Sequence, residues 1–153
     1  MNRLFSLLLY VAFFANANAS DLEKPPTHIF GLYGKRIPIC DNAVGPCSKK
    51  SPSYEGETAN YVLVTPGANN NIGVEIDLFF AAGHTCRLSE TGEWKKDHIS
   101  LWSEDRESYE LKLYFEKGNL RLIDDGNKFS DTSHSCGARG YYDGTVLPKK
   151  GSI

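Results

Sequence analysis

A strict two-residue alternation constrains the fold of this chain more than any other feature. In residues 73–80, apolar side chains occupy every second position, with Glu75 and Asp77 between them. This period is that of a strand with one buried face. Residues 109–115 repeat it, at a spacing that would scatter the apolar side chains around a helix. The residues predicted to face inward are Val74, Ile76, Leu78, Phe80, Tyr109, Leu111, Leu113 and Phe115.

Turn signals separate further strand-like runs. Residues 117–119 form a short turn that returns the chain into residues 120–123, which predicts a hairpin with residues 109–115. Residues 61–65 are rich in strand formers, and residues 98–102 alternate again. We therefore predict a mostly β, disulfide-stabilised protein of about six to eight strands, built as a small antiparallel sandwich, meander or partly open barrel.

The first 19 residues have the composition of a signal peptide. Arg3 precedes an almost wholly apolar run over residues 4–14, and Ala17-Asn18-Ala19 offers a small-x-small cleavage pattern. The run of about 11 residues is too short to span a bilayer comfortably. We expect cleavage after Ala19 and a periplasmic or secreted mature protein.

The remaining chain divides by composition into two parts. Residues 20–60 are predicted to be a loop-rich segment, in which Pro38 excludes a central strand and the polar residues 48–60 form a surface loop. Residues 61–150 are predicted to be the antiparallel β domain. The length fits one domain.

Four cysteines follow the signal peptide, which indicates disulfides in an oxidising compartment. Three pairings are open to four cysteines. We favour Cys40–Cys47, which encloses a turn-rich loop, and Cys86–Cys136, which then closes a long one.

The mature chain carries a mild, well-mixed charge. Without Arg3 it keeps 16 basic and 19 acidic side chains, a net charge of about −3 with neutral histidines. The sequence shows neither a basic stripe nor a long amphipathic segment. This composition argues against nucleic-acid binding and against attachment to a membrane after signal cleavage.

Two His-x-Cys units stand far apart in the chain, at residues 84–86 and 134–136. Because residues i and i+2 share one face of a strand, adjacent units would gather two imidazoles and two thiols, a ligand set for tetrahedral zinc. In an exported protein the cysteines are more readily explained by a disulfide. We favour the disulfide and predict no metal or other cofactor, with zinc binding as the alternative.

Catalytic signatures are missing from the sequence. It contains no Gly-x-Ser-x-Gly, no His-Glu-x-x-His and no glycine-rich phosphate loop. We therefore predict no catalytic residue and a protein that is not an enzyme.

Arg139 is the charge that we single out for binding. It lies between Gly137 and Gly140, where a stiff loop would present its guanidinium to a carboxylate of a partner. The alternative is that Arg139 forms an ion pair with Asp143 within the protein. The two tyrosines that follow are of a type that often anchors interfaces. The candidate binding residues are Arg139, Tyr141, Tyr142, His84 and His134.

The run Gly83-His84-Thr85-Cys86, followed by residues 135–140 and Tyr142-Asp143-Gly144, resembles a pattern in small uncharacterised bacterial exported β proteins. In those proteins a GHxC strand end precedes a CGARG…DG tail. The likeness covers roughly residues 61–147 and implies an exported β domain that binds a partner. It carries over no catalytic residues.

A looser likeness is to periplasmic lysozyme inhibitors, which are also small, exported, disulfide-bearing β domains. Their Ser-Gly-x-x-Tyr loop is absent, since residues 51–54 lack the glycine and the spacing. Inhibition of a wall-degrading hydrolase is therefore an analogy of fold.

Together these features predict an exported, non-enzymatic protein that binds another envelope or secreted protein, as an inhibitor or immunity-type factor. The alternative is a small hydrolase or zinc-binding protein that uses His84 with Cys86 and His134 with Cys136.

Overall fold

The computed structural model describes residues 24–41, 47–80, 83–102, 109–132, 135–137 and 140–153. The predicted signal peptide, residues 1–19, lies outside this part of the chain. Among the described helices, none is both long and apolar enough to cross a membrane. Within the described residues strands dominate, and helix is limited to 3₁₀ turns and one five-residue α-helix.

Eight antiparallel strands form a closed barrel in which each strand pairs with its neighbours in sequence and the last pairs with the first. The predicted mostly antiparallel β class is confirmed. Of the three predicted architectures, the sandwich is wrong, whereas the strand order is that of a meander. The barrel is closed rather than partly open, because the first and last strands hydrogen-bond to each other. The elements are β1 (Gly31–Cys40), β2 (Tyr54–Pro66), β3 (Asn71–Phe79), β4 (Thr85–Lys95), β5 (His98–Trp102), β6 (Glu110–Glu116), β7 (Asn119–Asp124), α1 (Lys128–Thr132) and β8 (Val146–Gly151), with 3₁₀ turns at Thr27–Ile29, Ala68–Asn70 and Asp125–Asn127.

The N-terminal third supplies two barrel strands. β2 begins at Tyr54, so the loop predicted over residues 48–60 is wrong from that residue onward, and the predicted division at residue 60 falls inside a strand. β1 and β2 stay paired as far as Cys40 and Tyr54, whereas β3 joins β2 only from Tyr61. Residues 54–60 and residues 35–40 of β1 therefore form a two-stranded ribbon. The sequence of residues 54–60 is polar and has no alternating apolar face, so this strand was not predicted.

Pro38 lies in this ribbon, where β1 has a single described neighbour. It pairs with Glu57 of β2, while β8 reaches β1 only at Leu32 and Tyr33. This position agrees with the prediction that Pro38 is excluded from a central strand, because the missing amide hydrogen has no second ladder to serve.

Apolar side chains that point inward fill the barrel. The predicted inward residues within β3 and β6 that are at most 2% exposed are Val74, Ile76, Leu78, Leu111 and Leu113. Phe80, Tyr109 and Phe115 pack against this core and stay partly buried. Side chains from outside the strands complete the core, with Ile29 before β1 and Phe129 and Tyr142 after β7. The interior is thus a packed core.

The two ends of the barrel differ in their connections. At the short-turn end, tight turns at residues 67–70, 96–97 and 117–118 join the strands. At the long-loop end, the connections are residues 41–53, 80–84, 103–109 and 125–145. The described candidate binding residues, His84, Tyr141 and Tyr142, belong to connections at the long-loop end. Since loops on a rigid scaffold commonly carry binding residues, this end is the first place to seek a site.

Both favoured disulfides are confirmed. Cys40–Cys47 closes a loop within the β1–β2 connection, with a sequence separation of 7. Cys86–Cys136 joins β4 to the β7–β8 connection across a separation of 50. All four cysteines of the chain are thereby paired.

We expect the two disulfides to stabilise the fold unequally. Loop-closure entropy predicts a loss of about 4 kcal/mol for Cys86→Ala with Cys136→Ala, and about 2 kcal/mol for Cys40→Ala with Cys47→Ala. Denaturant unfolding of the two double variants, followed by circular dichroism, measures both free energies of unfolding. Equal losses, or a larger loss in the second variant, would contradict the prediction.

Candidate functional site

A disulfide and two backbone hydrogen bonds fasten the β7–β8 connection to the start of β4. Cys136 and Cys86 form both the disulfide and an antiparallel β-bridge. Two hydrogen bonds of 2.8 Å flank this bridge, from Arg87 N–H to the Ser135 carbonyl oxygen and from Gly137 N–H to the Thr85 carbonyl oxygen. We call residues 135–137 together with Gly140 the stapled segment, because they are held against the start of β4.

Gly140 brings the chain back against the disulfide. Its amide donates to the Gly137 carbonyl oxygen at 2.8 Å. A Cβ atom at Gly140 would lie 2.6 Å from Cys86 Sγ and 3.2 Å from the Thr85 carbonyl oxygen, which is too close for a side chain. At Gly137 the nearest atom would lie at 3.7 Å, an ordinary contact. Packing therefore requires glycine at position 140 and tolerates a methyl group at position 137.

A buried carboxylate anchors the same connection where it leaves β7. Asp124 is 1% exposed. It accepts hydrogen bonds from the amides of Phe129 and Ser130, both at 2.8 Å, and from the Ser130 hydroxyl at 2.5 Å. These bonds satisfy the first amides of α1, as a helix cap does. The Asp124 amide donates to Asp143 Oδ1 at 3.0 Å. Asp124 therefore contacts both the start and the end of the β7–β8 connection.

Tyr142 is a core residue, which corrects its prediction as a binding residue. Its side chain is fully buried, and its phenol donates to Ser135 Oγ at 2.7 Å. Its amide donates to Ser130 Oγ at 3.2 Å. Burial raises the pKa of Tyr142 to about 12, so the phenol remains a neutral donor. This side chain cannot contact a partner, and it positions the stapled segment from inside.

Tyr141 faces solvent beside the stapled segment. Its side chain is 47% exposed, and its ring packs against Phe80 with the ring centroids 4.9 Å apart. The Phe80 amide donates to the His84 carbonyl oxygen at 2.8 Å, which closes the β3–β4 connection. His84 is half-buried, and its Nδ1 atom would lie 3.9 Å from a Cβ at Gly137. The structure therefore brings Tyr141 and His84, two predicted binding residues, to the same end of the barrel.

Arg139 and His134 lie outside the described residues. The sulfurs of Cys86 and Cys136 are bonded to each other, which removes both thiolates from the alternative zinc ligand set. Within the described ranges, no group of three or more His, Cys, Asp or Glu side chains is arranged to hold a metal ion.

A polar cluster on the outer wall was not predicted. His98 Nδ1 lies 2.7 Å from Asp97 Oδ1, and His98 Nε2 lies 3.3 Å from Ser100 Oγ. Ser100 also donates a short hydrogen bond to Glu110, which pairs with Lys112 at 3.3 Å. The alternation of residues 98–102 placed His98 and Ser100 on one face. The strand register that brings Glu110 beside them could not be read from the sequence.

The cluster places Ser100, His98 and Asp97 in the order of a hydrolase triad, but the serine is not accessible to a substrate. Ser100 is fully buried, so its hydroxyl cannot reach a substrate carbonyl. The arrangement instead fixes a carboxylate. Burial by itself would raise the pKa of Glu110, but hydrogen bonds from Ser100, Lys112 and His98 and the charge of Lys112 outweigh it and lower that pKa. Glu110 is thus held ionised with its side chain 20% exposed.

Comparison with family models, curated proteins and solved structures finds no match for this chain.

We expect Gly140→Ala to disturb the stapled segment and Gly137→Ala to leave it intact. The added methyl group at position 140 overlaps a disulfide sulfur, and overpacking of this kind costs about 2 kcal/mol. The matched change at position 137 should alter the free energy of unfolding by less than about 0.5 kcal/mol. Denaturant unfolding of both variants measures the difference. Equal stability of the two would show that Gly140 does not pack against the disulfide.

We expect Asp124→Ala to destabilise the protein by about 3 kcal/mol, because the buried amides of Phe129 and Ser130 lose a charged acceptor. Asp125→Ala is the matched control, since Asp125 is the exposed neighbour and should change stability by less than about 0.5 kcal/mol. Thermal and denaturant unfolding of the pair provide the measurement. A loss shared equally by both variants would refute the anchoring role of Asp124.

Proposed function

We propose that this chain is an exported, non-enzymatic protein that binds an enzyme of the cell envelope through the long-loop end, as an inhibitor or immunity-type factor. The observation that carries the proposal is the stapled segment beside the half-exposed Tyr141. A disulfide, two hydrogen bonds to β4 and the close approach of Gly140 hold this segment in place. A surface that is rigid before binding loses little conformational entropy in a complex.

Tyr141 is the first proposed contact. Its ring is supported by Phe80 and presents a large amphipathic surface to solvent. Tyrosine orders few rotatable bonds on binding, so it contributes contact area at low entropic cost. This combination is typical of residues that dominate interface energies.

Arg139 is the second proposed contact, and it selects the kind of partner. In the sequence it lies between Gly137 and Gly140, and the Gly140 amide donates to the Gly137 carbonyl oxygen. A guanidinium recognises carboxylates through paired hydrogen bonds. Glycoside hydrolases carry two carboxyl groups in the catalytic cleft. An envelope enzyme of this type is therefore the partner class that we favour.

Export is supported by the disulfides and by the apolar N-terminal run. Two disulfide bonds join all four cysteines, which suits an oxidising compartment such as the periplasm or the extracellular space.

We expect Tyr141→Ala and Arg139→Ala to reduce capture of one envelope protein at least tenfold, because each removes a central contact. Leu32→Ala is the matched control, since Leu32 is 40% exposed on β1, away from the long-loop end. Immobilised mature protein, envelope extract and quantitative mass spectrometry provide the measurement.

The captured protein is then purified and assayed with and without the wild-type chain. Lowered turnover supports an inhibitor. Equal recovery of every envelope protein by the wild-type chain, the two site variants and Leu32→Ala would refute binding at the long-loop end.

A further inference from the structure

A shallow cleft of about 200 Å³ lies on the outer wall, where β6 and β7 meet the 3₁₀ turn Asp125–Asn127. Polar and charged groups dominate its lining, which suits a small hydrophilic ligand. The lining residues are Tyr109, Glu110, Lys112, Ile123, Asp124, Asp125 and Lys128. This cleft is distinct from the stapled segment, and the inference drawn from it goes beyond the proposed function.

An exposed indole stands beside the cleft. Trp102 ends β5 and is the direct cross-strand partner of Glu110. Directly paired residues project from the same face of a sheet, with Cβ atoms about 5 Å apart. Because Ile99 and Leu101 fill the inward face of β5, Trp102 faces outward, and it is 46% exposed. By contrast, Trp94 packs against the hydrophobic core.

Glu110 is preorganised as a hydrogen-bond acceptor at this place. Ser100 and His98 approach its Oε1 atom from β5, and Lys112 approaches its Oε2 atom at 3.3 Å. Asp97 in turn lies 2.7 Å from the other ring nitrogen of His98. These neighbours hold the Glu110 carboxylate in one orientation, and its remaining lone pairs can accept hydrogen bonds from a ligand.

Acidic and basic side chains are mixed in the lining of the cleft, with one more acidic than basic. Lys112 and Lys128 are basic, and Glu110, Asp124 and Asp125 are acidic. The Asp124 carboxylate is already bonded to the start of α1. A mixed lining with one excess negative charge disfavours an anionic ligand, and a neutral ligand rich in hydroxyl groups suits it.

We propose that Trp102 and this cleft bind a neutral saccharide. A pyranose ring has an apolar C–H face, which the indole would cover. Its rim of hydroxyl groups would donate hydrogen bonds to Glu110 and accept a hydrogen bond from Lys112. An amphipathic aromatic surface beside fixed polar groups provides both contacts at once. The site orients one sugar unit against the outer wall and leaves the long-loop end free.

The test uses the chain without residues 1–19, labelled with ¹⁵N, and two neutral probes, tri-N-acetylchitotriose and maltotriose. The protein has two tryptophans, so its two indole N–H signals report on Trp102 and Trp94 separately. We expect at least one probe to shift the Trp102 signal in a saturable way at millimolar concentrations, while the Trp94 signal stays in place.

Four variants locate the site. Trp102→Ala and Glu110→Gln should weaken saccharide binding at least tenfold, and Trp102→Phe should retain most of it because a stacking ring remains. Tyr61→Ala is the matched control, since Tyr61 donates to Glu75 at 2.7 Å and is an equivalent aromatic–carboxylate pair on the β2–β3 wall. Tyr61→Ala should leave saccharide binding unchanged.

The absence of a saturable Trp102 shift with either probe overturns the proposal. Binding that is equally strong in Trp102→Ala and Trp102→Phe also overturns it, and this comparison holds even where Glu110→Gln fails to fold. Tyr141→Ala should bind saccharide normally, and Trp102→Ala should still capture the envelope partner. The failure of one proposed site is therefore distinguishable from the failure of the other.

Discussion

The attachment of the β7–β8 connection to β4 is the constraint on which the long-loop end depends. Residues 125–145 form a long excursion from a barrel whose short-turn end is made of tight turns. Ordering a connection of this length costs conformational entropy, which the burial of Phe129 and Tyr142 helps to offset. The Cys86–Cys136 disulfide offsets that cost by restricting the unfolded chain, and the hydrogen bonds around it fix the direction of the segment.

Buried polar groups continue this attachment into the barrel. Asp124 holds the start of α1, Ser130 links Asp124 to the Tyr142 amide, and the Tyr142 phenol reaches Ser135 next to the disulfide. Each link satisfies a polar group that burial would otherwise penalise. The described parts of the connection therefore form one hydrogen-bonded unit. Tyr141 can stay exposed because its neighbour Tyr142 carries the packing.

Two surfaces of different character follow from this scaffold. The long-loop end presents Tyr141 beside a rigid backbone, a surface suited to another protein. The outer wall of β5 and β6 presents Trp102 beside a carboxylate that three donors hold, a surface suited to a small hydroxylated ligand. The barrel interior is filled by apolar side chains, so both sites use the outside of the fold.

Most of the strand pattern was predictable, because apolar and polar residues alternate with a period of two along a half-buried strand. Residues 73–80 and 109–115 are therefore found where their alternation placed them. The strand over residues 54–60 was missed because its residues are mostly polar and show no apolar alternation, although they pair with β1. Tyr142 was misplaced because Tyr141 and Tyr142 are chemically identical, and only the path of the connection decides which one is buried.

The sequence by itself determined the β class, the favoured pairing of the four cysteines and the stretches that alternate. These are local properties, or consequences of loop length, and they do not depend on which strands become neighbours. Only the tertiary structure decided that β8 returns to β1 to close the barrel, that Gly140 lies against a disulfide sulfur, and that Glu110 meets Ser100 and Trp102. The physical reason is that register and closure are set by contacts between residues far apart in the chain, whose energies no single stretch of sequence contains.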